Sequence, residues 1–239
     1  MNGHSFIRYE EKYLVTDDQK RILEKYLNKN MSPDKYSRDG NSYQVMNLYF
    51  DTPDNNSIRE SISKPKYKQK LRIRSYHPIC SGDDHVYLEI KKKDHGHVNK
   101  RRVSLPYASA LDFIYHHKKP LIDGYLENQI IAEIEYFIHQ SPLIPAFYIQ
   151  YSRLAFHGND AQYLRITFDA NIIYRCDDLD ITVAKGKPLL RENIWLMEIK
   201  SEVNYPLWLV WKLSELKLHD QSFSKVGMAY KNKIIGEFS

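Results

Sequence analysis

Six segments of this chain alternate apolar with charged side chains at a period of two, and in each of them the charged set is dominated by Arg, Lys and Glu. A strand sends successive side chains to opposite faces, so such a segment folds with one oily face and one charged face. In 8–14, Arg8, Glu10 and Lys12 share a face. In 70–74, Lys70, Arg72 and Arg74 oppose Leu71 and Ile73. Glu89 and Lys91 oppose Leu88 and Ile90, while Lys100 and Arg102 oppose Val103 and Leu105. Arg165, Thr167 and Asp169 oppose Leu164, Ile166 and Phe168, and Glu198 and Lys200 oppose Met197 and Ile199. A solvated antiparallel face would account for any one of these segments. It accounts less well for all six, because ordinary wet faces mix Thr, Ser and Asn with their charges. Opposite-charge ladders explain the repeated Glu-x-Lys at 10/12, 89/91 and 198/200, but not the recurrence of Arg at neighbouring same-face positions.

The remaining segments fit the same architecture. Stretches 6–15, 43–51, 67–76, 84–93, 97–105, 146–156, 162–169, 171–176, 181–184 and 194–201 are rich in β-branched and aromatic residues and read as strands. Helical spacing is confined to a segment capped by Thr16-Asp17-Asp18, to 107–117, to 124–139, and to 206–218 with Pro206 in its first turn. Many strands with a few helices predict an α+β antiparallel barrel or a strongly curved sheet. At 239 residues, 42% apolar and 27% charged, the chain is expected to form one globular domain over 1–239.

If the charged faces turn inward, helices must cover the apolar faces from outside. The interior then holds Arg8, Lys12, Arg72, Arg74, Lys91, Lys100, Arg102, Arg153, Arg165 and Lys200 against Glu10, Glu89, Asp169 and Glu198. Cations in such excess are costly to desolvate unless an anion joins them. Arg forks match phosphate oxygens two at a time and Lys adds point charge. Carboxylates can hold a hard divalent cation such as Mg²⁺ or Mn²⁺. Inorganic polyphosphate, triphosphate or a nucleoside triphosphate fits that inventory.

Other chemistries are poorly supported. The chain contains no G-x-x-x-x-G-K-[ST] loop, and its ten histidines show no ligand spacing. Cys80 and Cys176 read as reduced thiols. Lys91-Lys92-Lys93 reads as a charged strand end, and the charged faces are poor in the interleaved aromatics of a nucleic-acid platform, Tyr87 being one exception, so no nucleic-acid partner is expected. No stretch approaches the ~20 apolar residues of a membrane span. The opening MNGHSFIRYEEKY lacks an apolar signal core, so a cytoplasmic location is expected.

The ordered set Arg8-Tyr-Glu10-Glu-Lys12-Tyr13, Tyr49-Phe-Asp-Thr52, Leu71-Arg72-Ile-Arg74, Leu88-Glu89-Ile-Lys91, Tyr151-Ser-Arg153, Leu164-Arg165-Ile-Thr-Phe-Asp169, Met197-Glu198-Ile-Lys200 and Phe223-Ser-Lys225 resembles the VTC domain. This is the polyphosphate polymerase domain of the triphosphate tunnel metalloenzyme, or CYTH-like, superfamily, and the expected likeness is to its stand-alone bacterial-type members. The resemblance runs from about residue 5 to 232. It implies a closed antiparallel β-barrel tunnel with helices packed outside, and transfer of the ATP γ-phosphate to a growing polyphosphate chain. It implies that Lys12, Arg72, Arg74, Lys91, Lys100, Arg153, Arg165 and Lys225 contact phosphates, with Arg72, Arg74, Lys225 and Glu198 at the reacting centre. Glu198, seconded by Glu10, would hold the metal, Mn²⁺ or Mg²⁺. The resemblance also leaves room for a membrane-protein partner that would bring the chain to a membrane. The same cradle could admit water and act as a tripolyphosphatase or nucleoside triphosphatase, or bind polyphosphate without turnover, so these alternatives stay open.

Overall fold

The computed structural model describes residues 9–37, 40–63, 65–95, 97–159 and 163–237. Arg8, proposed above as a phosphate ligand, lies outside them. The strands are β1 (Tyr9–Thr16), β2 (Met31–Pro33), β3 (Tyr43–Asp51), β4 (Tyr67–Ser75), β5 (His85–Asp94), β6 (His97–Pro106), β7 (Ile144–Gly158), β8 (Leu164–Arg175), β9 (Lys187–Pro188) and β10 (Ile194–Ser201). The helices are α1 (Asp17–Asn30), α2 (Asn56–Ile62), α3 (Tyr107–His116), α4 (Tyr125–Gln140), α5 (Leu207–Glu215) and α6 (Lys225–Glu237). The strands form one antiparallel sheet in the order β1-β10-β8-β7-β3-β4-β5-β6, with β2 added to β7 and β9 to β8.

The expected barrel closure is not found. Strands β1 and β6 end the order, and no ladder joins them among the described residues. Both carry runs of charge, Glu10-Glu11-Lys12 and Lys100-Arg101-Arg102, and charged edges resist further pairing. The α+β class and the antiparallel sheet stand.

The chain divides into two compact units. The first comprises 1–44, 151–173 and 188–224, and the second 45–150, 174–187 and 225–239. In the first, the apolar face of β1, β8 and β10 (Tyr13, Val15, Ile166, Phe168, Met197, Ile199) packs with Leu23 and Leu27 of α1 and Leu209 and Leu213 of α5. Thr16 and Gln19 close a reciprocal capping box at the start of α1, as the Thr16-Asp17-Asp18 signal predicts. In the second, Leu48, Leu71, Ile73, Leu88 and Val103 pack under Phe113 of α3 and Ile131 and Ile134 of α4. Within each unit the helices cover the apolar faces, so the charged faces point away from the helical layer, as the alternation requires.

Local differences from the sequence reading have identifiable causes. Segments 162–169 and 171–176 join into β8, Leu164–Arg175, which runs on through Asn171 in a left-handed conformation (φ 50°), a backbone state that Asn tolerates. Segment 181–184 is a turn, not a strand. It is wrapped around Arg175, whose guanidinium donates to the carbonyls of Asp178, Val183 and Lys185 at 2.6–2.7 Å and also to that of Asp180. The same guanidinium stacks 4.0 Å from the centre of the Tyr148 ring. Helices α2 and α6 and strand β2 have no counterpart in the sequence reading. Helix α2 has seven residues and strand β2 three, and α6 carries Gly227 and Gly236 with little amphipathic contrast.

Replacing Arg175 with Met should strand four backbone carbonyls and free the 176–187 loop. We expect a loss of about 3 kcal/mol in urea unfolding and faster proteolysis confined to that loop. Unchanged cleavage of the loop would remove the anchoring role assigned to Arg175.

Candidate functional site

Strand register gathers the charges of the second unit into cross-strand rows. Lys70, Lys91 and Lys100 stand directly opposite one another on β4, β5 and β6. The next row is Tyr49, Arg72, Glu89 and Arg102, and the next is Asn47, Arg74, Tyr87 and Ser104. Like charges directly opposed destabilise a sheet, so these rows work against the fold unless something anionic compensates. Within these rows six cations face the carboxylate of Glu89, and Asp51 at the end of β3 acts on Lys70 from beside them.

That carboxylate, Glu89, is only 1% exposed. Its Oε2 accepts from Arg72 Nε at 2.8 Å and from Nη2 at 2.6 Å, and its Oε1 lies 3.1 Å from Lys100 Nζ. Burial alone would raise its pKa. The guanidinium groups of Arg72 and Arg74 and the Lys100 ammonium outweigh burial and hold it down at about 2. Arg72 is also held from its other side, its Nη1 donating to the Tyr49 hydroxyl at 2.8 Å. Burial opposes ionisation of that hydroxyl, but Arg72, Arg74 and Lys225 shift its pKa below the usual tyrosine value. Lys225, the first residue of α6, thus acts on the same group as Arg72 and Arg74.

Two lysines of this face, Lys100 and Lys70, are easy to deprotonate. Burial first, and then Arg72 and Arg74, pull Lys100 down to about 7, against the opposing pull of Glu89. Burial, with Lys68 and Lys91 adding repulsion, brings Lys70 to about 8. Arg102 is exposed and stacks 4.5 Å from the Tyr87 ring centre.

The first unit is arranged differently. On β1, Lys12 Nζ pairs with Glu10 Oε1 at 3.0 Å and donates to the Phe223 carbonyl at 3.1 Å. Lys200 Nζ lies 2.6 Å from Glu198 Oε1 and 3.6 Å from Glu10 Oε2. Burial works against its charge, but Glu198 and Glu10 raise its pKa on balance. Arg153 makes a two-pronged bond to the fully buried Asp169 at 2.6 and 2.7 Å, and despite desolvation this keeps it firmly cationic. Arg165 reaches Asp34 at 3.3 Å. Each of the predicted cations Lys12, Arg153, Arg165 and Lys200 therefore faces a carboxylate here.

The predicted residues thus fall into two groups. Arg72, Arg74, Lys91, Lys100, Arg102 and Lys225 belong to the second unit. Lys12, Arg153, Arg165, Lys200, Glu10 and Glu198 belong to the first. Sequence reasoning missed Lys70 as a member of the lysine row, Asn47 and Tyr49 on β3, and Asp34. Lys70 shares the parity of Arg72 and Arg74, a signal that was present. Asp34 sits in a turn and carried none.

A divalent cation was expected on Glu198 and Glu10. Among the described residues no group of three or more His, Cys, Asp or Glu is placed to hold a metal. The donors that are present do fit a magnesium-like ion, which needs only one or two protein carboxylates when phosphate and water complete its shell. Glu10 and Glu198 already share one cation, the Lys200 ammonium, and opposite Glu198 the buried Thr167 Oγ1 has no hydrogen-bond partner.

The VTC domain family model matches residues 7–232. No curated protein matches the chain significantly. Among solved structures, a candidate adenylate cyclase from Bacillus halodurans is similar over 92% of this chain and 94% of its own, at 13% identity and a TM-score of 0.53. A candidate adenylyl cyclase from Hippeastrum, described as having a dominant triphosphatase activity, is similar over 93% and 95%, at 14% identity and a TM-score of 0.53. At these identities the likeness is one of fold.

The Glu89 geometry has a consequence for acid stability. A carboxylate whose folded pKa is depressed contributes stability that is present above its ordinary value of 4.5 and lost as pH falls towards 2. The drop over that window should be about 3 kcal/mol larger in the parent chain than in Glu89→Gln, measured by urea unfolding at stepped pH. Superimposable profiles would contradict the assignment.

Proposed function

The chain belongs to the VTC domain family, and from that premise we propose that it is a phosphoryl-transfer enzyme that binds triphosphate or polyphosphate and extends polyphosphate from ATP. The observation that carries the reading is the unbalanced face of the second unit, with Lys70, Arg72, Arg74, Lys91, Lys100 and Arg102 around Glu89. Opposed lysines and stacked arginines are what a row of phosphate oxygens would neutralise. In phosphoryl transfer the protein contributes mainly positioning and charge stabilisation. Arg72 is held from two sides by Glu89 and Tyr49, and Arg74 by Asn47, so both guanidinium groups are set before substrate arrives. No general base is required for chain extension, because the attacking terminal phosphate oxygen is ionised near neutral pH. Glu198 and Glu10 would hold Mn²⁺ or Mg²⁺, which when bound offsets charge on phosphate oxygens.

A second reading is hydrolysis of triphosphate, favoured by the triphosphatase activity of the similar Hippeastrum protein. Incubation with ATP and Mn²⁺ followed by polyphosphate electrophoresis separates the two. Long chains with ADP support extension, phosphate without chains supports hydrolysis, and neither product overturns both. Arg74→Lys should lower either activity at least about tenfold, since an ammonium cannot reproduce the guanidinium fork.

Lys100 makes binding pH-dependent. Its pKa in the free chain is about 7, and a bound polyanion raises it, so binding takes up a proton. Tripolyphosphate affinity should therefore fall as pH rises from 7 to 9, by at most about tenfold per unit for one linked proton. Lys100→Arg should reduce that dependence, leaving the part carried by Lys70, whose pKa is about 8. Calorimetry in buffers of different ionisation enthalpy would read the proton directly, and zero uptake between pH 7 and 8 would refute it.

A further inference from the structure

Arg72 and Arg74 lie two residues apart on β4 but are held in chemically different ways. Arg72 is fixed by a carboxylate. Arg74, 6% exposed, donates its Nε to Asn47 Oδ1 at 2.8 Å. Asn47 is fully buried and sits directly across the ladder from Arg74. Its Nδ2 donates to the Ile149 carbonyl at 3.0 Å. That carbonyl settles the amide's orientation, because only the NH₂ end can satisfy it and the oxygen end must then face the guanidinium.

Resting on the phosphate-binding reading above, we infer that Asn47 is a positioning residue that fixes Arg74 through its Nε edge with an uncharged acceptor. The bond at Nε pins one edge of the planar guanidinium, so the plane and position of the Arg74 charge are set relative to β3 before an anion arrives. The neutrality of the holder matters as much as its geometry. An Asp at 47 would keep the shape, but it would cancel the Arg74 charge and set a carboxylate oxygen against the Ile149 carbonyl. A Leu would leave both the Arg74 Nε and the Ile149 carbonyl buried without this partner. Asn alone of these orients the arginine without lowering its charge. Glu89 already takes up part of the positive charge around Arg72, so a second carboxylate at 47 would weaken the face as an anion receptor.

The test uses the full chain, inorganic tripolyphosphate and titration calorimetry at several salt concentrations, with thermal melts to check folding. Asn47→Asp should weaken binding about tenfold and make its salt dependence shallower, because one cation has been neutralised. Asn47→Ser, which removes the acceptor without adding charge, should weaken binding about threefold with the salt dependence unchanged. In the Arg74→Met background, Asn47→Ser should cost nothing further, whereas a merely structural role would cost the same in both backgrounds. If Asn47→Asp does not fold, the Asn47→Ser cycle decides alone. Failure of the parent chain to bind tripolyphosphate would overturn the phosphate-binding reading itself. Binding by the parent together with additive effects of Asn47→Ser and Arg74→Met would overturn this inference and leave that reading standing.

Discussion

The buried pair between Glu89 and Arg72 is the constraint around which the second unit's charged face is arranged. Glu89 is enclosed in a sheet whose neighbouring strands bring Arg72 and Lys100 against it. Desolvating such a pair costs much of what its attraction returns, so a well-packed apolar pair of equal volume would stabilise the strands as well. What the ion pair does, and an apolar pair would not, is let further cations stand in adjacent register positions. Without Glu89, Arg72 and Lys100 would meet with no anion between them. With it, the face tolerates a surplus of positive charge and remains folded.

The two units carry the same sequence signature with opposite electrostatic results. In the first, Glu-x-Lys closes on itself along a strand: Glu10 meets Lys12 at 3.0 Å, and Glu198 meets Lys200 at 2.6 Å. Asp169 is committed to Arg153 through both oxygens, and Asp34 reaches Arg165. In the second unit Glu89 is drawn sideways across strands, and the cations outnumber it. A balanced face suits exchange of one cation for another, such as an ammonium for a metal ion. An unbalanced face suits capture of an anion.

This division explains what could be read from the sequence. Period-two alternation fixed which side chains share a face, and the apolar complement placed α1, α3, α4 and α5 on the other side, because those rules act within one strand or helix. Closure depends on whether β1 and β6 pair, a relation between residues about 90 positions apart, and no local pattern encodes it. Asn47 was overlooked because the polar Gln44, Asn47 and Asp51 of β3 fall at no regular period among its apolar and aromatic residues, and Tyr49 because an aromatic on a strand reads as packing. Their parity places them on the charged face all the same. Arg153 was grouped with the surplus cations on the same argument, yet its partner Asp169 lies on another strand and is visible only once β7 and β8 are positioned.

The mixture of arginine and lysine on one face also has a chemical consequence. Arginine keeps its charge throughout the physiological range, so Arg72 and Arg74 present a constant field. Lys100 at about 7 and Lys70 at about 8 do not, because in the free chain each is partly neutral near pH 7–8. On the proposed reading an arriving polyanion charges the lysines it meets, and its departure lets them shed protons again. A face built only of arginine would hold a long polyanion with undiminished strength at every step. Replacing part of it with lysines of lowered pKa reduces the electrostatic cost of the empty state and weakens the hold on a product that has to move on. The opposed lysine row, unfavourable as sheet chemistry, therefore fits a surface that must bind a repeating anion and also release it.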